Sequence, residues 1–164
     1  MINKSPIRMV NFGDNIHGGL LNDELFEKYI LPVYQKRCKL LHEHNKFVYA
    51  HWDGDVKSVL KYVKDTGLDG IEAITPLPQG DVTLQEVKEA LGDDIWLIDG
   101  VAAILFDTRY TEEQLIEQVK ECIDLFAPKL ILGISDEISS TGDMERVRIV
   151  RDYVEEYNRK MEER

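Results

Sequence analysis

Residues 70–98 read GIEAITPLPQGDVTLQEVKEALGDDIWLI, and this stretch decides the fold class. It opens with a short, nearly continuous apolar run, Gly70-Ile-Glu-Ala-Ile-Thr75, and closes with another, Ile95-Trp-Leu-Ile98. Both runs are too short for a stable helix and are rich in branched or aromatic residues. They predict strands buried on both faces of a parallel sheet. Between them, Thr83 and Glu86 form a capping box ahead of Val87, Ala90 and Leu91. A strand, a helix and a second strand at this spacing make one βαβ unit.

The same alternation extends in both directions. Ile7-Arg-Met-Val-Asn-Phe12, Lys46-Phe-Val-Tyr-Ala-His51 and Lys129-Leu-Ile-Leu-Gly-Ile134 predict three more strands. Asn22 is placed to cap a long helix with Asp23 and Glu24 in its first turn, and Pro32 predicts a kink or break within it. Asp55 reads as the N-cap of a helix bearing Val56, Val59, Leu60 and Val63 on one face, ended by Gly67. Thr111 and Gln114 form a second capping box before Leu115, Val119, Ile123 and Phe126. A last helix is expected from about Asp143 to Tyr157. The predicted order is five βα units in a single α/β domain over residues 1–164. Pattern alone leaves an open doubly wound sheet and part of a closed barrel as alternatives.

Composition narrows the function classes. The chain has 164 residues and a formal net charge of −11. Such a surface repels nucleic acid and anionic lipid, so neither is an expected partner. Cys38 and Cys122 lie far apart on predicted helices, which is neither a disulfide framework nor a CxxC metal motif. The first residues lack an apolar run, and no stretch approaches the roughly 18 apolar residues of a membrane span. The expected location is the cytoplasm.

In parallel α/β folds, active sites gather at the C-terminal ends of the strands. Here those ends carry Gly13-Asp-Asn-Ile-His-Gly-Gly19, His51-Trp-Asp-Gly-Asp55, Glu72 with Thr75, Asp99-Gly100, and Ser135-Asp-Glu137. Imidazoles and carboxylates gathered in this way bind a divalent metal or act as general acid and base. His51, Asp53 and Asp136, with His17, are the candidate metal ligands; Glu72, Asp99 and Glu137 are the candidate catalytic groups. Each has a structural reading beside the functional one. Asp53 fits a turn, Glu72 fits a partner for a neighbouring Arg or Lys, and His17 fits a loop residue equally well. His42 and His44, near a helix end, read as solvated. Asp14-Asn-Ile-His17-Gly18 misses the spacing of the cobalamin-binding Asp-x-His-x-x-Gly signature, and Gly13 to Gly19 matches neither a P-loop nor a dinucleotide fingerprint.

Several longer segments resemble the uroporphyrinogen decarboxylase superfamily, which also contains corrinoid-linked methyltransferases. Asn22-Asp-Glu-Leu-Phe-Glu-Lys-Tyr-Ile-Leu-Pro-Val-Tyr34 resembles its "lFekyxlP" helix. Phe47 to Asp55 with Gly67-Leu-Asp-Gly-Ile-Glu72 resembles its "H-x-[CD]-G … tGxDgi" segment, and Asp81 to Gly92 its "dl-x-evKe-x-lG" helix. Leu130 to Ile138 followed by Met144-Glu-Arg-Val147 resembles the last strand and helix. The resemblance implies the C-terminal part of a (β/α)₈ barrel, about five strands, since a whole barrel needs about 250 residues. It also implies a methyltransferase-like site with Zn²⁺ or another divalent metal, and a small-molecule or corrinoid methyl donor or acceptor as partner. In the corrinoid branch a His-x-Cys pair and a later Cys hold zinc. His51 matches the histidine, while Asp53 and Asp136 stand where the thiolates would be. Two other readings remain. The chain could be a half-barrel without catalysis that self-associates as a homo-oligomer, or a decarboxylase fragment that needs its N-terminal half. An unrelated doubly wound domain would have strand order 2-1-3-4-5.

Overall fold

A computed structural model describes residues 2–163. Five strands, β1 (Met9–Ile16), β2 (Phe47–Trp52), β3 (Gly70–Glu72), β4 (Trp96–Ala102) and β5 (Leu130–Ser135), form one sheet. All neighbouring pairs are parallel and their order is β1-β2-β3-β4-β5. Sequential order is what a barrel segment requires, and it removes the doubly wound alternative, in which the strand order reverses. The helices are α1 (Asp23–Leu25), α2 (Leu31–His42), α3 (Val63–Thr66), α4 (Leu84–Leu91), α5 (Glu112–Phe126) and α6 (Met144–Glu162). No helix among the described residues is long and apolar enough to cross a membrane.

Side-chain alternation gives the sheet two unlike faces. Val48, Ala50, Trp52, Ile71 and Leu97 point to the helical side and are fully buried. They meet Phe26, Tyr34, Val87, Leu115 and Val119 from the helices in one core. In-register partners share a face, so Met9 lies with Phe47, His51 with Glu72, and Glu72 with Ile98 and Ile131 on the opposite side. This is the face that a complete barrel turns inward. At the N-terminal end of the strands it is apolar and aromatic. The Phe47 ring lies 6.3 Å from Tyr49 and 6.4 Å from Trp96, with Met9 and Ile131 open to solvent.

Both expected capping boxes form, Thr83 with Glu86 and Thr111 with Gln114. Pro32 sits in the first turn of α2 and is preceded by a π-helical turn, Phe26–Ile30, in which the Leu31 N–H reaches Phe26 O. The expected break is therefore a change of helical pitch ahead of the proline, whose missing N–H cannot join the regular ladder.

The expected helix at Asp55 is corrected. Residues 57–59 form turns, followed by a 3-10 turn (Leu60–Tyr62) and the four residues of α3. Its cap is not Asp55. The Asp81 carboxylate accepts from the Val56 and Lys57 N–H groups, a bond across 25 residues that local pattern does not show. Gly67 does end the segment, at φ 81°.

Candidate functional site

Toward the C-terminal ends of the strands, the inner face turns polar. His51, two residues after Tyr49 on the same face of β2, pairs in register with Glu72 at the end of β3. Its Nδ1 lies 3.0 Å from Glu72 Oε2, and Asn11 on β1 donates to the same oxygen at 2.9 Å. Glu72 is thus engaged by an imidazole and an amide, not by the Arg or Lys that its structural reading anticipated. Asp53 follows β2 in a turn that Gly54 makes at φ 64°. Asp136 follows β5 and has φ 65°. One ligand atom each from His51, Asp53 and Asp136 lies within 4.8 Å of the others.

These residues line a cavity of about 390 Å³ together with Asn15, Glu72, Asp99 and Glu137. It holds one imidazole, one amide and five carboxylates, with no Lys or Arg in its wall among the described residues. Asp99 is inside β4, which runs on to Ala102, and not at the strand's end as the sequence suggested. Its φ is 81°, and its carboxyl occupies the space where Gly133 lacks a side chain; a Cβ there would collide with Asp99 Oδ1. Burial pushes the Asp99 carboxyl up to about 6, with the neighbouring Glu72 adding to the rise. The Ala73 backbone and His51 act in the opposite direction.

Three of the four non-glycine residues with left-handed backbone among those described are Ala73, Asp99 and Asp136, all at this end of the sheet. Such conformations cost about 1–3 kcal/mol each and gather where function demands them. Ala73 also explains why β3 stops at Glu72 and does not continue to Thr75.

A divalent metal fits this donor set. Asp53 Oδ1 is buried and has no hydrogen-bond partner, whereas buried polar atoms ordinarily find one. A cation between Asp53, His51 and Asp136 would satisfy it. Donors of nitrogen and oxygen suit zinc and harder divalent ions. Neither cysteine lines the wall: Cys38 and Cys122 are buried in α2 and α5, the Cys122 thiol donates to the Gly100 carbonyl oxygen, and burial pushes both thiols up to about 12.

His17 does not join the cavity wall. Its Nδ1 accepts from the Gly19 N–H at 2.9 Å, and its ring packs behind the turn, where a Cβ on Gly54 would lie 2.7 Å from Nε2. His42 is exposed, as its reading had it, and pairs with Asp69 at 2.8 Å. Asn11 and Asn15 escaped the sequence reading. Their signal was the alternation of β1, which continues past Phe12 to Ile16 and puts residues 11 and 15 on one face.

The raised Asp99 group carries a pH dependence. An acid that keeps its proton to about pH 6 when folded, but to 3.8 ordinarily, binds more protons in the folded chain across that window. Its contribution to stability is therefore greatest at low pH and is lost as pH rises through about 6. In urea titrations of metal-free protein at several pH values, the stability of wild type relative to Asp99→Asn is expected to show this fall, on top of the opposite trend of the carboxylates that ion pairs hold low, such as Glu86 and Asp107. A difference between wild type and Asp99→Asn that does not change with pH would assign the effect elsewhere.

A family model described as Uroporphyrinogen decarboxylase (URO-D) matches residues 4–157. The chain is similar in structure to a methyltransferase from Methanosarcina mazei, with a TM-score of 0.71 at 17% identity over 92% of this chain. It spans 42% of that protein's length. No curated protein matches the chain.

Proposed function

The chain belongs to the uroporphyrinogen decarboxylase (URO-D) family, and on that premise we propose that it is a methyltransferase-like member whose site holds a divalent metal on His51, Asp53 and Asp136. The observation that carries this reading is the buried, unpartnered Asp53 Oδ1 beside an imidazole and a second carboxylate. Bound there, the metal would supply Lewis acidity to a methyl donor or acceptor. The likeness to a methyltransferase is one of fold, so the reaction class rests on analogy. The remaining residues do work that follows from their positions. Glu72 orients His51, Asp99 can hold or release a proton near neutral pH, and Glu137 closes the acidic wall.

The acidic wall also argues against a decarboxylase that takes a carboxylate-rich substrate. Five carboxylates, with no Lys or Arg beside them among the described residues, would repel such a ligand before binding. A cationic small molecule suits the wall better, and a metal held by His51, Asp53 and Asp136 would activate the nucleophile of an acceptor toward a methyl group brought by a corrinoid. The direct test is metal content of protein purified without chelators. Near-stoichiometric divalent metal supports the reading; metal-free protein that also fails to take up Zn²⁺ or Co²⁺ sinks it.

A second reading concerns assembly, and the open inner face favours it. β1 and β5 each have one unpaired edge among the described residues, and Met9 and Ile131 are 47% and 45% exposed. Unpaired parallel edges beside apolar surface recruit further strands. Two copies bring ten strands, too many for an eight-stranded closure, so a dimer would pack at an exposed edge or exchange strands. Light scattering should then give twice the 18.9 kDa chain mass. Ile131→Asp is expected to shift the population to monomer; a wild-type monomer at high concentration removes this reading.

A further inference from the structure

We infer that Asn11 and Glu72 are positioning residues that fix the tautomer of His51, so that its Nε2 is the nitrogen offered to a ligand. This rests on the metal reading above for its purpose but not for its test.

The argument begins with the face alternation of three adjacent strands. Asn11 on β1, His51 on β2 and Glu72 on β3 all project from the inner face. Asn11 is in register with Tyr49, one inward-facing position below His51, so Asn11 and Glu72 meet above β2. Glu72 Oε2 receives the Asn11 Nδ2–H at 2.9 Å and faces His51 Nδ1 at 3.0 Å. A carboxylate oxygen accepts, so the ring nitrogen facing it carries the hydrogen. Neutral imidazole then has its lone pair on Nε2. The amide of Asn11 has its own role in this chain of contacts. It restrains the one oxygen that His51 uses, and a long glutamate side chain without it would sample other rotamers. Both partners lie within the sheet, so the orientation is set by strands and not by a loop.

Neither residue needs to touch the metal for this. Carboxylates that accept from the second nitrogen of a ligating histidine raise its basicity and fix its ring, and their loss costs about 10–100-fold in metal affinity.

The test uses the whole chain. Long-range ¹H–¹⁵N spectra of metal-free, ¹⁵N-histidine-labelled protein report which His51 nitrogen is protonated. Wild type is expected to show Nδ1–H. Glu72→Ala should yield a mixture of tautomers, Asn11→Ala a partial shift, and Glu72→Gln, which still offers an oxygen, a largely restored Nδ1–H form. An Nε2–H form in wild type, or no change in any variant, overturns the inference. Co²⁺ titration supplies the second reading. Glu72→Ala should lower Co²⁺ affinity about 10–100-fold with the visible bands unmoved. Shifted bands would make Glu72 a ligand and overturn its positioning role. Wild type that binds no Co²⁺ would sink the metal reading alone, because the tautomer measurement still decides this one.

Discussion

Asp53→Ala is expected to lower divalent-metal affinity at least about 100-fold, the upper end of what loss of an outer-sphere partner costs. Asp53 is a direct donor in the proposed site, one of three residues whose ligand atoms lie within 4.8 Å of each other. With it removed, His51 and Asp136 remain as two donors, below the three protein ligands of ordinary catalytic zinc centres. The same change should leave the metal-free protein as stable as wild type, or slightly more so. Asp53 Oδ1 is buried without a hydrogen bond, and a buried acceptor left unpaired costs about 1–3 kcal/mol. A residue that destabilises the empty fold and is needed only when a cation arrives is the signature of a site kept for function. Isothermal titration with Zn²⁺ and urea melts of the chelated protein measure the two effects separately. Unchanged affinity would remove Asp53 from the site. A large loss of apo stability would make it a structural turn residue, as its simpler reading holds.

The contrast between Asp53 and Asp55 shows where sequence reading reaches and where it stops. Strand positions were visible as short apolar runs, and the two capping boxes because they rest on contacts within a few residues. Thr83 with Glu86 and Thr111 with Gln114 each close their own helix end. Asp55 looked like a cap by the same local logic, yet the N–H groups it might have served go to Asp81. That bond exists only after the β3–α4 connection folds back, so no window of local sequence contains it. The site divides similarly. Strand ends pointed to His51, Asp53, Glu72, Asp99, Asp136 and Glu137, and all six line one cavity. His17 stood in an equally polar loop but serves its own turn. What the pattern could not convey was backbone geometry. Nothing in the residue type at 73 announces a left-handed φ, because alanine ordinarily avoids it; aspartate is one of the few residues that tolerate it, but its presence alone does not mark 99 and 136 among the chain's many aspartates. The space for the Asp99 carboxyl comes from Gly133 on the next strand, where the glycine read simply as part of an apolar run.

Trp52→Ala should have the largest effect on stability, about 3–5 kcal/mol. That is a large share of the roughly 5–15 kcal/mol by which domains are stable. Trp52 is fully buried on the helical side of β2. Its ring meets Phe26 edge-on at 5.4 Å and Tyr34 at 6.3 Å, and its Nε1–H donates to the Tyr34 hydroxyl at 3.2 Å. Phe26 continues the cluster to Tyr62, stacked at 5.4 Å, and Tyr34 continues it to Phe12 on β1 at 6.0 Å. The alanine variant therefore opens a void where the π-helical turn, α2, β1 and β2 converge. The strand's alternation ties this void to the site. His51 faces inward because Trp52 faces outward, and Asp53 leaves the strand immediately after it. Losing the outward anchor frees the end of β2, so metal affinity should fall along with the urea midpoint. Trp52→Phe keeps most of the volume and should cost less than the alanine variant in both measurements. Asp53→Ala loses affinity without losing stability, whereas Trp52→Ala should lose both. If Trp52→Ala kept full metal affinity despite a lower midpoint, the end of β2 would be held by the loop itself, and the aromatic cluster would support the fold without positioning the site.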